Sequence, residues 1–284
     1  MMPFAEVNGT RLHYHVKGSG IPIVFIHPPL LSSRTFTYQQ VQLSSEYKTI
    51  IFDIRGHGES APSEVPLTYP LIAEDMKQLL DFLDIRQAYV CGYSAGGSIA
   101  LEAMLAYPGR FRGGILISAM SETSDLYNKT GIWLATQLAR LGASKLVAKA
   151  VTWTNSDMQL THTNLYESAI KGDIRNHGQY YKYSGFYNCT NRLREIEQPI
   201  LLLYGEKNSV FYKYARLLHH NLRNSTLYFL KDGKHHLPTK SADLLNECIH
   251  SWISELEGRP EEKQVPHHAP IFEETANEGE QLVH

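Results

Sequence analysis

Short, nearly continuous runs of Val, Ile and Leu punctuate the chain: IPIVFIH from Ile21, KTIIFD from Lys48, AYVCGYS from Ala88, GGILIS from Gly113 and PILLLYG from Pro199. Runs of this kind suit strands covered on both faces of a sheet. The first stretch differs. In FAEVNGTRLHYHVKG two alternating runs flank Asn8-Gly9, a dipeptide that tolerates the positive φ of a tight hairpin turn. Between most of the apolar runs the period changes to that of a helix. In PLIAEDMKQLLDFLDI, Leu71, Ile72, Met76, Leu79, Leu80 and Leu83 fall on one face, and Thr68 is placed to cap it. SAGGSIALEAMLAYP and SADLLNECIHSWISELEG repeat the pattern. Strand and helix in alternation predict an α/β fold: a doubly wound, mostly parallel sheet with right-handed crossovers and an N-terminal hairpin.

One stretch breaks the rhythm. Residues 121–194 show helical patterns, no convincing strand and many aromatics, among them Trp133, Trp153, Tyr166, Tyr180, Tyr181 and Tyr187. An all-helical insertion between two parallel strands is expected to lie as a cap, or lid, over the strands' carboxyl ends, where ligands bind in such folds. The plainer reading is a helical subdomain whose aromatics are core. The expected division is therefore a core of residues 1–120 and 195–257, a helical cap of 121–194, and an acidic, disordered tail of 258–284.

Composition narrows the function. The 284 residues carry a net charge of −2, which supplies no field for nucleic acid or an anionic membrane. The expected partner is a small molecule, with the chain a monomer or a homodimer. Cys91, Cys189 and Cys248 cannot all pair and match no metal spacing, so no metal or other cofactor is expected. Reduced thiols, together with a start that has no basic segment followed by an apolar one, suggest a cytoplasmic protein.

The chemistry centres on Gly92-Tyr93-Ser94-Ala95-Gly96, a G-x-S-x-G pattern between an apolar strand and an amphipathic helix. A serine there sits on a sharp turn that lifts its hydroxyl above the strand end, beside the free N–H groups of a helix start. A serine hydroxyl needs a base. Among 14 histidines, His235 and His236 lie on the loop after the last strand, from which a base reaches back over the sheet's edge.

Five segments in order, across nearly all of Phe4 to Glu257, resemble the α/β-hydrolase superfamily, in its capped, carboxylesterase-like form. IVFIHPPLLSSRTF is similar to the strand and oxyanion loop, FDIRGHGES to the D-x-R-G-x-G-x-S turn, and GYSAGG to the nucleophile elbow. LLLYGEKNSV is similar to the strand and turn that carry the acid, and GKHHLPTKSAD to the catalytic-histidine loop. The resemblance implies Ser94 as nucleophile, His235 as base and Ala95 N–H as an oxyanion donor. It also implies that His27, Asp53, Arg55 and His57 brace loops.

Two departures matter. The usual acid position holds Asn208, which can orient an imidazole but cannot stabilise its cation; Glu122 (with Asp125 behind it) and Glu206 remain the other candidates. The usual second oxyanion donor falls on Pro29, which has no N–H, so the hole must use Leu30 N–H, a side chain, a water or a single donor, with a shifted loop path offering Leu30. The function implied is a cofactor-independent serine hydrolase acting on a small apolar or aromatic ester or related acyl bond. The rival is a ligand-sensing hydrolase-fold signalling protein with little turnover.

Overall fold

The structure, a computed structural model, describes residues 3–259. The expected tail lies outside the described residues from 260 onward. Strands β1 (Phe4–Val7) and β2 (Thr10–Lys17) form the N-terminal hairpin, with Asn8 and Gly9 both at positive φ, 48° and 68°. Then follow β3 (Ile21–Ile26), α1 (Thr37–Leu43), β4 (Tyr47–Phe52), α2 (Tyr69–Phe82), β5 (Ala88–Tyr93), α3 (Ala95–Ala106) and β6 (Phe111–Ile117). After β6 come four helices, α4 (Leu126–Arg140), α5 (Ser144–Thr154), α6 (Gln159–Ala169) and α7 (Ile174–Phe186). The chain returns to the sheet as β7 (Ile200–Gly205), α8 (Tyr212–Asn221), β8 (Ser225–Leu230), α9 (Leu237–Lys240) and α10 (Ala242–Leu256).

The strands make one eight-stranded sheet in the order β1-β2-β4-β3-β5-β6-β7-β8. β1 pairs antiparallel with β2, and β2 with β4; every other pairing is parallel. The apolar runs are continuous because both faces are covered. Val24, Ile26, Leu116 and Leu202 point into one core, filled from α2, α3 and α8 by side chains such as Leu79, Ile99 and Leu218. Their neighbours Ile23, Phe25, Ile117 and Leu203 point the other way, onto Leu43 of α1 and Ile249 and Trp252 of α10. Thr68 caps α2, its side chain accepting from Leu71 N–H.

Where the parallel strands end, loops and helix starts converge. The loop after β3, the turn after β5, and the loops after β7 and β8 all open on the side from which α3 begins. Within 121–194 the described pairing beyond helices is a single bridge between Glu122 and Asn188. Helix α7 is tied to the core by Tyr180, whose hydroxyl donates to His27 O at 3.0 Å, and by Asn176, whose Oδ1 accepts from Ser63 N–H at 2.9 Å. All three cysteines are free thiols.

Candidate active site

Ser94 follows the last residue of β5 and precedes the first of α3, with φ 54° and ψ −123°. A non-glycine residue held there costs on the order of 1–3 kcal/mol, so the surroundings must enforce it. They do so by backbone bonds: Ser94 N–H donates to Ile117 O at 2.8 Å, and Gly97 N–H to Ser94 O at 2.9 Å. Gly96 is required for space, because a Cβ on it would stand 2.2 Å from Ile26 O. The chain can make this turn only where helix α3 meets β3 without a side chain between them.

The turn aims the Ser94 hydroxyl at His235. Nε2 of His235 lies 3.2 Å from Ser94 Oγ, and the side-chain amide of Asn208 lies 3.1 Å from His235 Nδ1. The loop carrying the histidine is fixed from two sides. Ser118, just past β6, donates its hydroxyl to His235 O at 3.1 Å. Gly205, ending β7, has no Cβ because one would stand 2.4 Å from Lys234 O. The imidazole is wedged between rings, with its centroid 4.4 Å from Phe211 and 5.5 Å from Tyr93. Burial pushes the His235 pKa down to about 3, and the neighbouring His236 adds to the fall. The imidazole is thus neutral throughout the ordinary pH range.

His236, the other histidine on the loop, faces the same cavity; its ring stands edge-on to His235 and makes no hydrogen bond among the described residues. The remaining carboxylate candidates are engaged elsewhere. Glu122 accepts from Asn188 Nδ2 and Thr190 Oγ1, and Glu206 accepts from Asp232 N–H. Asp125 caps α4 by accepting from Asn128 N–H. Asn208 is therefore the side chain that meets Nδ1.

The loop after β3 runs through Pro28 and Pro29, which line the cavity beside Ser94 and Ala95. Leu30 takes a positive φ of 69°, and its buried side chain packs against Ala148 and Ala169 of the helical segment. Ala95 opens α3, so its N–H has no acceptor within the helix. His27 and His57 lie below the site as braces: Ile54 N–H donates to His27 Nε2, and His57 Nδ1 meets Arg55 O. Asp53 binds Ser33 N–H, Glu59 N–H and the His13 ring. Burial opposes its ionisation, yet these bonds, led by that from His13, hold its pKa at about 2. Arg55 donates to Asp75 through Nε and Nη2, and Nη2 also donates to Asn8 O.

The cavity above Ser94 has a volume of about 340 Å³. Helix α4 contributes Tyr127, Asn128 and Ile132, α5 contributes Val151, and α7 contributes Tyr181 and Ser184. Among the described residues lining it there is no Lys, Arg, Asp or Glu. Tyr93 OH donates to Asn155 Oδ1 at 3.0 Å, pinning the end of α5 to the elbow. Neither Ser118 nor Asn155 is marked by any local motif, and only the fold brings them to the site.

The fold and the elbow define a hydrolase-type protein of the α/β class. Residues 21–239 match the alpha/beta hydrolase fold family, and the chain belongs to that family. As such it is a hydrolase of the α/β-hydrolase kind. The chain is 24% identical to the serine hydrolase BPHL of Homo sapiens over 265 residues, spanning 87% of this chain and 84% of that one. An esterase from Exiguobacterium antarcticum has a similar structure, with TM-score 0.81 and 20% identity over 89% of this chain and 100% of that one. So does the enol-lactonase from Burkholderia xenovorans, with TM-score 0.79 and 20% identity over the same shares. No helix among the described residues is long and apolar enough to cross a membrane.

Proposed function

We propose that the chain is a cofactor-independent serine hydrolase that cleaves a small, uncharged ester or related acyl bond. The observation that carries this reading is the 3.2 Å approach of His235 Nε2 to Ser94 Oγ at the wall of a cavity lined, among the described residues, by no charged side chain. The oxygen of Ser94 attacks the acyl carbon while its proton passes to His235 Nε2. The carbonyl oxygen becomes an oxyanion, held by Ala95 N–H and, in place of the donor that Pro29 lacks, by Leu30 N–H. The intermediate collapses, His235 returns the proton to the departing alcohol, and an acyl group stays on Ser94. Water then loses a proton to His235 and attacks the acyl carbon; the bond to Ser94 Oγ breaks, His235 returns the proton to that oxygen, and the acid leaves.

Asn208 serves as a neutral orienter. As it lies, its Nδ2 faces His235 Nδ1, which leaves the ring proton on Nε2 and makes that nitrogen a donor to Ser94. Turned over, the amide accepts from Nδ1–H and frees Nε2 to act as the base. A carboxylate would permit only the second arrangement. The helices of 121–194 act as the cap, supplying the walls that select the acyl or alcohol group. Both an esterase and a lactonase among the structural relatives are consistent with acyl chemistry on this scaffold.

The test is turnover of p-nitrophenyl butyrate by the full chain. Steady release of p-nitrophenol, falling at least about a hundredfold in Ser94→Ala, is the expected result. No release by the parent chain, or equal release by the variant, overturns the reading and favours a ligand-binding protein on the same fold.

A further inference from the structure

Helices α4 and α5 each carry Leu, Lys and Trp at the same spacing: Leu126, Lys129 and Trp133 on the first, Leu146, Lys149 and Trp153 on the second. Offsets of three and seven residues put each triplet on one helix face. All six side chains are exposed, Leu126 by 80%, Trp133 by 61%, Leu146 by 69% and Trp153 by 65%. Leu141, between the helices, is 79% exposed. Single exposed hydrophobic residues are ordinary, but this concentration on one insertion is not.

Charge follows the same segment. Residues 126–156 contain Lys129, Arg140, Lys145 and Lys149 and no Asp or Glu. Lys129, Lys145 and Lys149 are exposed and make no ion pair among the described residues. The net charge of −2, which argues against an anionic membrane for the chain as a whole, averages this local excess away.

We infer that the outer face of α4 and α5 docks on an anionic lipid surface and that the uncharged cavity beneath takes its ester from there. Leucine to enter the acyl boundary, Trp for the interface and Lys for acidic headgroups are the components of a helix lying in a membrane surface. Tyr127 is both exposed and part of the cavity wall, so the apolar face runs on into the site. A second copy fits the face poorly, because a symmetric pairing sets the same lysines of both copies on one interface. The docking half stands on the helices alone; the ester half rests on the hydrolase reading above.

Sedimentation of the full chain with vesicles tests the docking, with no chemistry involved. Vesicles of equal parts phosphatidylglycerol and phosphatidylcholine should carry the protein down, and phosphatidylcholine alone should not. High salt should release it, since it shortens the reach of surface charge. Lys129→Glu/Lys145→Glu/Lys149→Glu should weaken partitioning on the order of a hundredfold or more. The same variant should hydrolyse water-soluble p-nitrophenyl butyrate at the parent's rate. Ser94→Ala should bind vesicles as the parent does, so a failure of the chemistry and a failure of docking are read separately. Absence of sedimentation with either vesicle, equal binding to both, or a triple variant that binds undiminished overturns the inference. Self-association without vesicle binding overturns it in favour of a second copy.

Discussion

At the scale of single residues the decisive feature is an amide where a carboxylate would hold the imidazole cation. Asn208 meets His235 Nδ1 at 3.1 Å, close enough to orient the ring. In the proposed mechanism it supplies no charge to a protonated His235, and it fits either ring tautomer. Exchange of the acid for an amide in a serine–histidine site costs about 10⁴ in kcat, through the wrong tautomer. Asn208→Asp should therefore raise kcat, by at least about tenfold. It should also change the pH dependence. A base works only when neutral, so activity is lost as pH falls through the His235 pKa, which burial holds at about 3. A neighbouring carboxylate raises that pKa, so the acid limb of kcat/KM should move upward in Asn208→Asp. An unchanged or lower kcat, with an unmoved limb, contradicts the role assigned to Asn208.

Between elements, the coupling of α7 to the loops under the site is carried by buried histidines. The rings of His27 and His57 lie 5.3 Å apart, and those of His57 and His177 4.5 Å. His57 Nε2 and both nitrogens of His177 are buried without a hydrogen-bond partner among the described residues. Burial keeps His27 and His57 below their ordinary pKa and pushes His177 down to about 4, with His27 adding to the last and Asp173 opposing it. Released on unfolding, each ring would titrate near 6.5. The unfolded chain thus binds more protons than the folded one between those values. Stability contributed by neutral His177 is complete above pH 6.5 and drains as pH falls toward 4. The unfolding free energy should fall over this window, and His177→Leu should flatten the slope by up to about 1.4 kcal/mol per pH unit. Urea titrations at a series of pH values measure both; a parent whose stability is level from pH 7 to 4.5 contradicts the role given to the cluster.

At the scale of the molecule, what could be read in advance depended on how local its cause was. The strands were legible because a sheet covered on both faces demands apolar residues at every position, as in Ile200–Gly205. The elbow was legible because its residues adjoin in sequence and its backbone conformation selects small neighbours. The partner of His235 Nδ1 was not, since four side chains suited the chemistry. The choice follows from how closely the ends of β7 and β8 approach, with Gly205 against Lys234. The cavity walls were illegible for the same reason: Asn155 meets Tyr93 across 62 residues, and no spacing rule spans that distance. Net charge is blind in a different way, because an average cannot register four basic residues in one helical pair.

Covalent trapping tests most directly whether Ser94 is a nucleophile that His235 activates. The full chain should react with a small fluorophosphonate to give one adduct, mapped by peptide mass to Ser94. In His235→Gln the labelling should slow at least about a hundredfold. An adduct on another residue, or labelling at the parent's rate without the imidazole, would contradict the account.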